Sequence, residues 1–224
     1  MILGRELEKK NILPVLNLCE KKGVKVDYMP KAKMQILCGA VVHQGYAAEL
    51  ADYKYLTEPD LLQLIGNTAR PLILILDQIQ DTHNLGAIIR TAEGVNLTAL
   101  VMAEKGGAEI NATVAKTSAG AIFHCPIHRT ADLFVFLEKL KATGLKIVGT
   151  VMGRQNTIYQ ADLRTGLAVI VGSEGKGIRK NILGHCDEQV SIPMWGRIDS
   201  LNVSVSTAVI LYEIIRQRLA DRLI

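Results

Sequence analysis

Three short segments hold most of the side chains able to do chemistry. The first, Asp77 to Glu93, carries Asn84 and Arg90 six positions apart, just after the apolar run Leu72–Leu76. Open α/β sheets bind ligands beyond the carboxyl ends of their strands, and this segment follows such an end. Six positions is under two helical turns, so the two side chains share a helix but not one face. By spacing alone, Asn84 reads either as a site residue or as a helix cap, and Arg90 as an anion contact or a surface cation.

The second segment is Gly172-Ser173-Glu174-Gly175-Lys176-Gly177, after the apolar run Leu167–Val171. Closely spaced glycines let backbone approach a ligand and adopt positive φ. Gly177 stands where a P-loop needs Ser or Thr, and dinucleotide-binding GxGxxG spacing is absent too, so a ligand loop and a plain tight turn stay open. Glu174 can accept a proton or a hydrogen bond. The third segment, Ser191 to Ser206, passes from a strand end through Pro193 and Gly196 into a helix. Ile192 and Leu201 could pack on a flat ring while freed backbone groups bind its edge, or the segment is an ordinary capped connection.

The elements that must position these segments alternate strand-like and helical patterns. Strands are expected at 72–76, 99–102, 123–127, 147–151, 167–171 and 189–192, and helices at 86–93, 109–118 and 202–219, with Asn84 opening the first and Thr130 able to cap a helix before 147. Apolar strands without polar alternation, separated by helices, predict an α/β fold with a parallel sheet covered on both faces. Before them, a charged helix over 6–22, bent or restarted at Pro14, a strand at 24–28 and an apolar strand near 44–50 suggest a small α/β module. Gly66-Asn67-Thr68 and Pro71 mark the expected boundary, giving domains 1–67 and 68–224.

Composition sets limits. The 224 residues are 49% hydrophobic and 4% aromatic with net charge +4, enough for a large core but poor in rings for stacking single-stranded RNA. The charge is compatible with a polyanion without requiring one. Cys19, Cys38, Cys125 and Cys186 have no paired spacing, so reduced thiols in a cytoplasmic protein are expected, with no signal peptide or membrane span. His124, Cys125 and His128 lack further ligands at metal spacing, and no metal is expected. His83 reads as an RNA contact or a turn residue; Lys176, Arg179 and Lys180 read as phosphate contacts or a solvated face.

Taken together, Asn84-Leu85-Gly86-Ala87-Ile88-Ile89-Arg90-Thr91-Ala92, Gly172 to Gly177, and Ile192-Pro193-Met194 with Ser200-Leu201-Asn202-Val203-Ser204 resemble, in order, the motifs of the SpoU/TrmH family of RNA ribose 2′-O-methyltransferases of the SPOUT superfamily. The resemblance spans about Pro71 to the C-terminus. His43-Gln44-Gly45 is similar to a segment of the L30e-like RNA-binding module that often precedes this domain, although the family's usual first strand and helix have no counterpart here. Thr82 stands where many relatives have proline.

The resemblance implies a trefoil-knotted α/β methyltransferase domain acting as a homodimer, with S-adenosylmethionine held by Gly172, Gly177, Ile192 and Leu201 and lined by Thr150 and Met194. It assigns catalysis to Arg90, with Asn84, Glu174, Ser200 and Asn202 completing the site. A guanidinium with a pKa above about 12 is a poor base, so alkoxide or phosphate contact suits Arg90 better and Glu174 is the better proton acceptor or a partner orienting the arginine. The implied substrate is a guanosine of large-subunit rRNA. The alternatives are a transfer RNA or a non-catalytic RNA-binding role on the same fold.

Overall fold

The computed structural model describes residues 1–39, 42–153 and 156–220. The chain divides into two compact units, 1–53 and 54–224.

In the first unit, strand β1 (Ile2–Gly4) lies between β2 (Asp27–Met29), to which it is parallel, and β3 (Tyr46–Ala47), to which it is antiparallel. Helices α1 (Lys9–Lys21) and α2 (Lys31–Cys38) accompany the sheet, and Leu3, Ile12, Cys19 and Met34 are buried. Helix α1 runs through Pro14 without restarting. The strand expected at 24–28 begins three residues later, and the one at 44–50 shrinks to two residues.

The second unit is built on six parallel strands in the order β6-β5-β4-β8-β7-β9. These are β4 (Leu72–Asp77), β5 (Ala99–Ala103), β6 (Ile127–Thr130), β7 (Lys146–Thr150), β8 (Leu167–Gly172) and β9 (Glu188–Val190). Its helices are α3 (Glu58–Gly66), α4 (Thr82–Gly94), α5 (Ala112–Thr117), α6 (Leu133–Ala142), α7 (Lys180–Leu183) and α8 (Val203–Ala220). The two central strands, β4 and β8, pair from Leu72↔Leu167 to Asp77↔Gly172. Their unbroken apolar stretches match burial on both faces.

Three local expectations change. Helix α3 belongs to the larger unit, not to a domain ending at residue 67, because Leu61 and Ile65 are buried in its core with Phe136 and Leu140. The strand expected at 123–127 is replaced by a 3-10 turn at Ala121–Phe123, and β6 starts at Ile127. Helix α6 is capped not by Thr130 but by Asp132, whose carboxylate accepts from the Phe134 and Val135 backbone N–H groups.

Candidate active site

The carboxyl ends of β7 and β8 and the chain leaving β9 converge on a cavity of about 480 Å³. Its wall includes Thr150, Gly172, Gly177, Ile192, Met194 and Leu201, all the residues that the sequence suggested for a cofactor, together with Glu174, Ser200 and Asn202. Met194 and Leu201 are each 37% exposed, so the apolar side of the wall is open to an incoming ring. A larger hollow of about 720 Å³ lies at the opposite end of the strands, around Thr98 and Arg218, and holds none of the motif residues. There Arg218 is occupied, donating to the backbone carbonyls of Arg70, Pro71 and Thr165.

The polar edge of the cavity is a hydrogen-bonded cluster drawn from all three segments. Glu174 Oε1 accepts from Asn84 Nδ2 at 3.0 Å and from Asn202 Nδ2 at 2.7 Å, and Asn202 Nδ2 also reaches Asn84 Oδ1 at 3.0 Å. The backbone N–H of Val203 approaches the same carboxylate oxygen at 3.4 Å. One carboxylate oxygen thus orders two amides, one 90 and the other 28 positions away.

The two amides come to this role in different ways. Asp81, not Asn84, caps α4, accepting from the Asn84 backbone N–H at 2.8 Å. Asn84 therefore lies within the first turn of α4, and its side chain turns to Glu174. Asn202 does both jobs: Oδ1 accepts from the Ser204 backbone N–H at 3.0 Å and the Ser204 hydroxyl at 2.6 Å at the start of α8, while Nδ2 faces the cluster.

Arg90 is not gathered into this cavity. It is exposed on α4, outside the wall, about 9 Å further along the helix axis than Asn84. Among the described residues, the hydrogen-bond donors to Glu174 are Asn84, Asn202 and Val203, so it is the amides that the carboxylate orders.

Two glycines in the motifs have packing reasons. A Cβ on Gly172 would lie 2.1 Å from the Gly177 carbonyl carbon, so the loop folds back directly on its own strand. A Cβ on Gly86 would meet Thr117 Oγ1 on α5, which lets α4 approach α5 closely.

One pair went unnoticed in the sequence. Asp77 is fully buried at the end of β4 and accepts from both the backbone N–H and Nε of Arg179, each at 2.8 Å. Arg179 is thereby held against the sheet and fixes the end of the glycine loop. The only sequence signal was an acid closing an apolar strand. His128 is also committed, its Nδ1 lying 2.8 Å from the Leu56 carbonyl and its ring 5.3 Å from Phe136. His83 is exposed.

The parallel α/β sheet thus carries at its strand ends a polar Glu-Asn-Asn cluster beside an open apolar wall, a pocket able to take a small molecule. Residues 71–212 match the SpoU rRNA Methylase family, and residues 1–56 match the family described as RNA 2'-O ribose methyltransferase substrate binding. The chain is 38% identical over 214 residues to the 23S rRNA (guanosine-2'-O-)-methyltransferase RlmB of Pasteurella multocida, covering 95% of this chain and 87% of that protein. It is 40% identical over 208 residues to an uncharacterized tRNA/rRNA methyltransferase, slr0955, of Synechocystis sp.. That alignment covers 92% of this chain but only 54% of slr0955, so the chain spans about half of that relative's length. In fold it is similar to the SpoU methyltransferase AviRb from Streptomyces viridochromogenes in complex with AdoMet, with a TM-score of 0.80 at 22% identity, covering 98% of this chain and 82% of that one. The chain belongs to the SpoU methylase family. Among the described residues, no helix is long and apolar enough to cross a membrane.

Proposed function

We propose that the chain transfers a methyl group from S-adenosylmethionine to the ribose 2′-hydroxyl of a guanosine in 23S rRNA, and that unit 1–53 helps to bind the RNA. The observation that carries this reading is the Glu174–Asn84–Asn202 cluster on the edge of a cavity at the strand ends. The choice of RNA rests on the relatives named RlmB and on the substrate-binding match at 1–56.

The cavity suits the donor on its own chemistry. Its 480 Å³ lies within the usual range for small-molecule sites, roughly 300–1,000 Å³. Ile192, Met194 and Leu201 offer apolar contact to an adenine ring, and the backbone from Gly172 to Gly177 offers polar groups to its sugar and amino-acid parts. When bound, S-adenosylmethionine supplies an electrophilic methyl group on a sulfonium.

The chain's own residues then have three tasks. Asn84 and Asn202 hold one oxygen of Glu174, leaving the other to accept the proton lost by the ribose hydroxyl. Ser200, on the cavity wall, orients the sugar from the donor side. Arg90 meets the developing alkoxide or the neighbouring phosphate, as its permanent charge favours. Its exposed position outside the cavity wall suits a contact made to RNA lying across the surface.

The working assembly is a homodimer in the cytoplasm. Support comes from α8, which leaves Val205, Tyr212 and Leu219 48%, 57% and 52% exposed at seven-residue spacing, while Val203, Ile210, Leu211 and Ile214 on the same helix are buried. Methyl transfer from radiolabelled S-adenosylmethionine to separate 23S rRNA and transfer RNA preparations tests the reading: label in 23S rRNA alone is expected, and label confined to transfer RNA would reassign the substrate.

A further inference from the structure

The first unit has a cavity of its own, about 430 Å³, lined in part by the His43-Gln44-Gly45 segment. Its lining combines the buried side chain of Met34 and the side chain of Leu7 with a polar rim of Glu6, Lys31 and His43. An apolar floor with a few directed polar groups is how a flat heterocycle is held, its faces on carbon and its edge read by hydrogen bonds.

Two rim groups have fixed hydrogen-bonding character. Glu6 Oε1 accepts the Lys31 backbone N–H at 3.0 Å, and that bond holds its carboxyl below the ordinary range, so it is an ionised acceptor at neutral pH. A carboxylate has about four acceptor sites, and this bond uses one. His43 Nδ1 accepts the Gly45 backbone N–H at 3.0 Å, so the neutral ring carries its proton on Nε2 and presents a donor. Gln44, the next residue after His43 and part of the same lining, sits at φ +51°, a conformation that non-glycine residues rarely adopt and that recurs at ligand sites.

We propose that this cavity binds an unpaired guanine base of the RNA substrate, with Glu6 accepting from its N1–H and N2–H₂ groups and His43 Nε2–H donating to an acceptor on its edge. Guanine alone among the four bases sets two N–H donors side by side against one carboxylate. Adenine and cytosine each place a ring-nitrogen acceptor beside their amino group, and that nitrogen repels the second carboxylate oxygen. Uracil offers one N–H flanked by two carbonyls. The site is separate from the one that methylates, and it rests on the reading of RNA as the substrate.

The test uses the full chain without methyl donor and short single-stranded RNAs that differ only in a central G, A, C or U. Fluorescence anisotropy should show the G oligonucleotide binding on the order of tenfold more tightly than the others. Glu6→Gln keeps an oxygen for the Lys31 N–H, and His43→Asn keeps one for the Gly45 N–H, so both should fold while losing the preference to within about twofold. GMP is included as a separate arm, and the oligonucleotide should bind more tightly than the free nucleotide. Equal affinity for the four oligonucleotides, or a preference for G that survives in both variants, would overturn the proposal. So would tighter binding of GMP than of the oligonucleotide. Because binding is read without methyl transfer, failure here leaves the catalytic reading intact, and failure of methylation leaves this measurement interpretable.

Discussion

Asp77 and Arg179, 102 positions apart, are joined twice, through the arginine's backbone N–H and its Nε. The carboxylate is fully buried and the guanidinium side chain is 39% exposed. The contact pins the loop that carries Gly172, Glu174 and Gly177 to the central strand.

Asp77→Ala should therefore lower stability by about 3 kcal/mol, the low end for breaking a buried pair, because the exposed part of Arg179 can be rehydrated. Urea unfolding measures that loss. The same variant should weaken donor binding at temperatures where it stays folded, measured by calorimetry with S-adenosylmethionine. Unchanged donor affinity would show that the pair supports the sheet and not the loop.

Glu174→Gln should keep the cluster's shape, since an amide oxygen still accepts from Asn84 and Asn202. It removes the proton acceptor, so the methyl-transfer rate should fall by roughly 10²-fold or more while the donor's Kd changes by less than about threefold. Single-turnover kinetics paired with a binding titration separate the two.

Gly172→Ala should abolish donor binding, and a thermal scan should show a lower Tm. The added methyl would lie 2.1 Å from backbone carbon, not from a flexible side chain, so the loop itself must shift.

Acid sensitivity should trace in part to Glu213. Its hydrogen bond with Arg216 holds the carboxyl below its ordinary value of 4.5, assisted by Gln217 and opposed by burial. Gln217 in turn donates to the Ile158 and Ala161 carbonyls, so the group ties α8 to the loop before β8. A lowered pKa contributes stability above the unfolded value, and that contribution is lost as pH falls below about 4.5. Glu213→Gln should flatten the urea midpoint between pH 5 and pH 3 (about those limits) relative to the native chain.

The parts of the fold legible in sequence were those with one dominant physical signal. Strands β4 and β8 are buried on both faces and read as continuous apolar runs. Strand β6 was misplaced because it is the edge strand, with Arg129 part-exposed, so its pattern is mixed. The boundary at Gly66–Pro71 followed turn chemistry, whereas Leu61 and Ile65 had already committed α3 to the larger core. In the site, the motifs marked Asn84, Glu174 and Asn202, but not which residue would cap α4. Asp81 and Asn84 are both good caps, and only the fold shows that Asp81 leaves Asn84 free. The Asp77–Arg179 pair was hidden for a plainer reason, since no local pattern links positions 102 apart.

The most direct measurement of the central claim follows labelled methyl groups from S-adenosylmethionine into 23S rRNA, using the purified chain and its Arg90→Ala variant, with donor binding measured in parallel. The account predicts alkali-resistant label at a guanosine ribose with the native chain, and none with Arg90→Ala although the variant binds the donor normally. Normal donor binding by the native chain with no label in any RNA, or near-native transfer by Arg90→Ala, would contradict it.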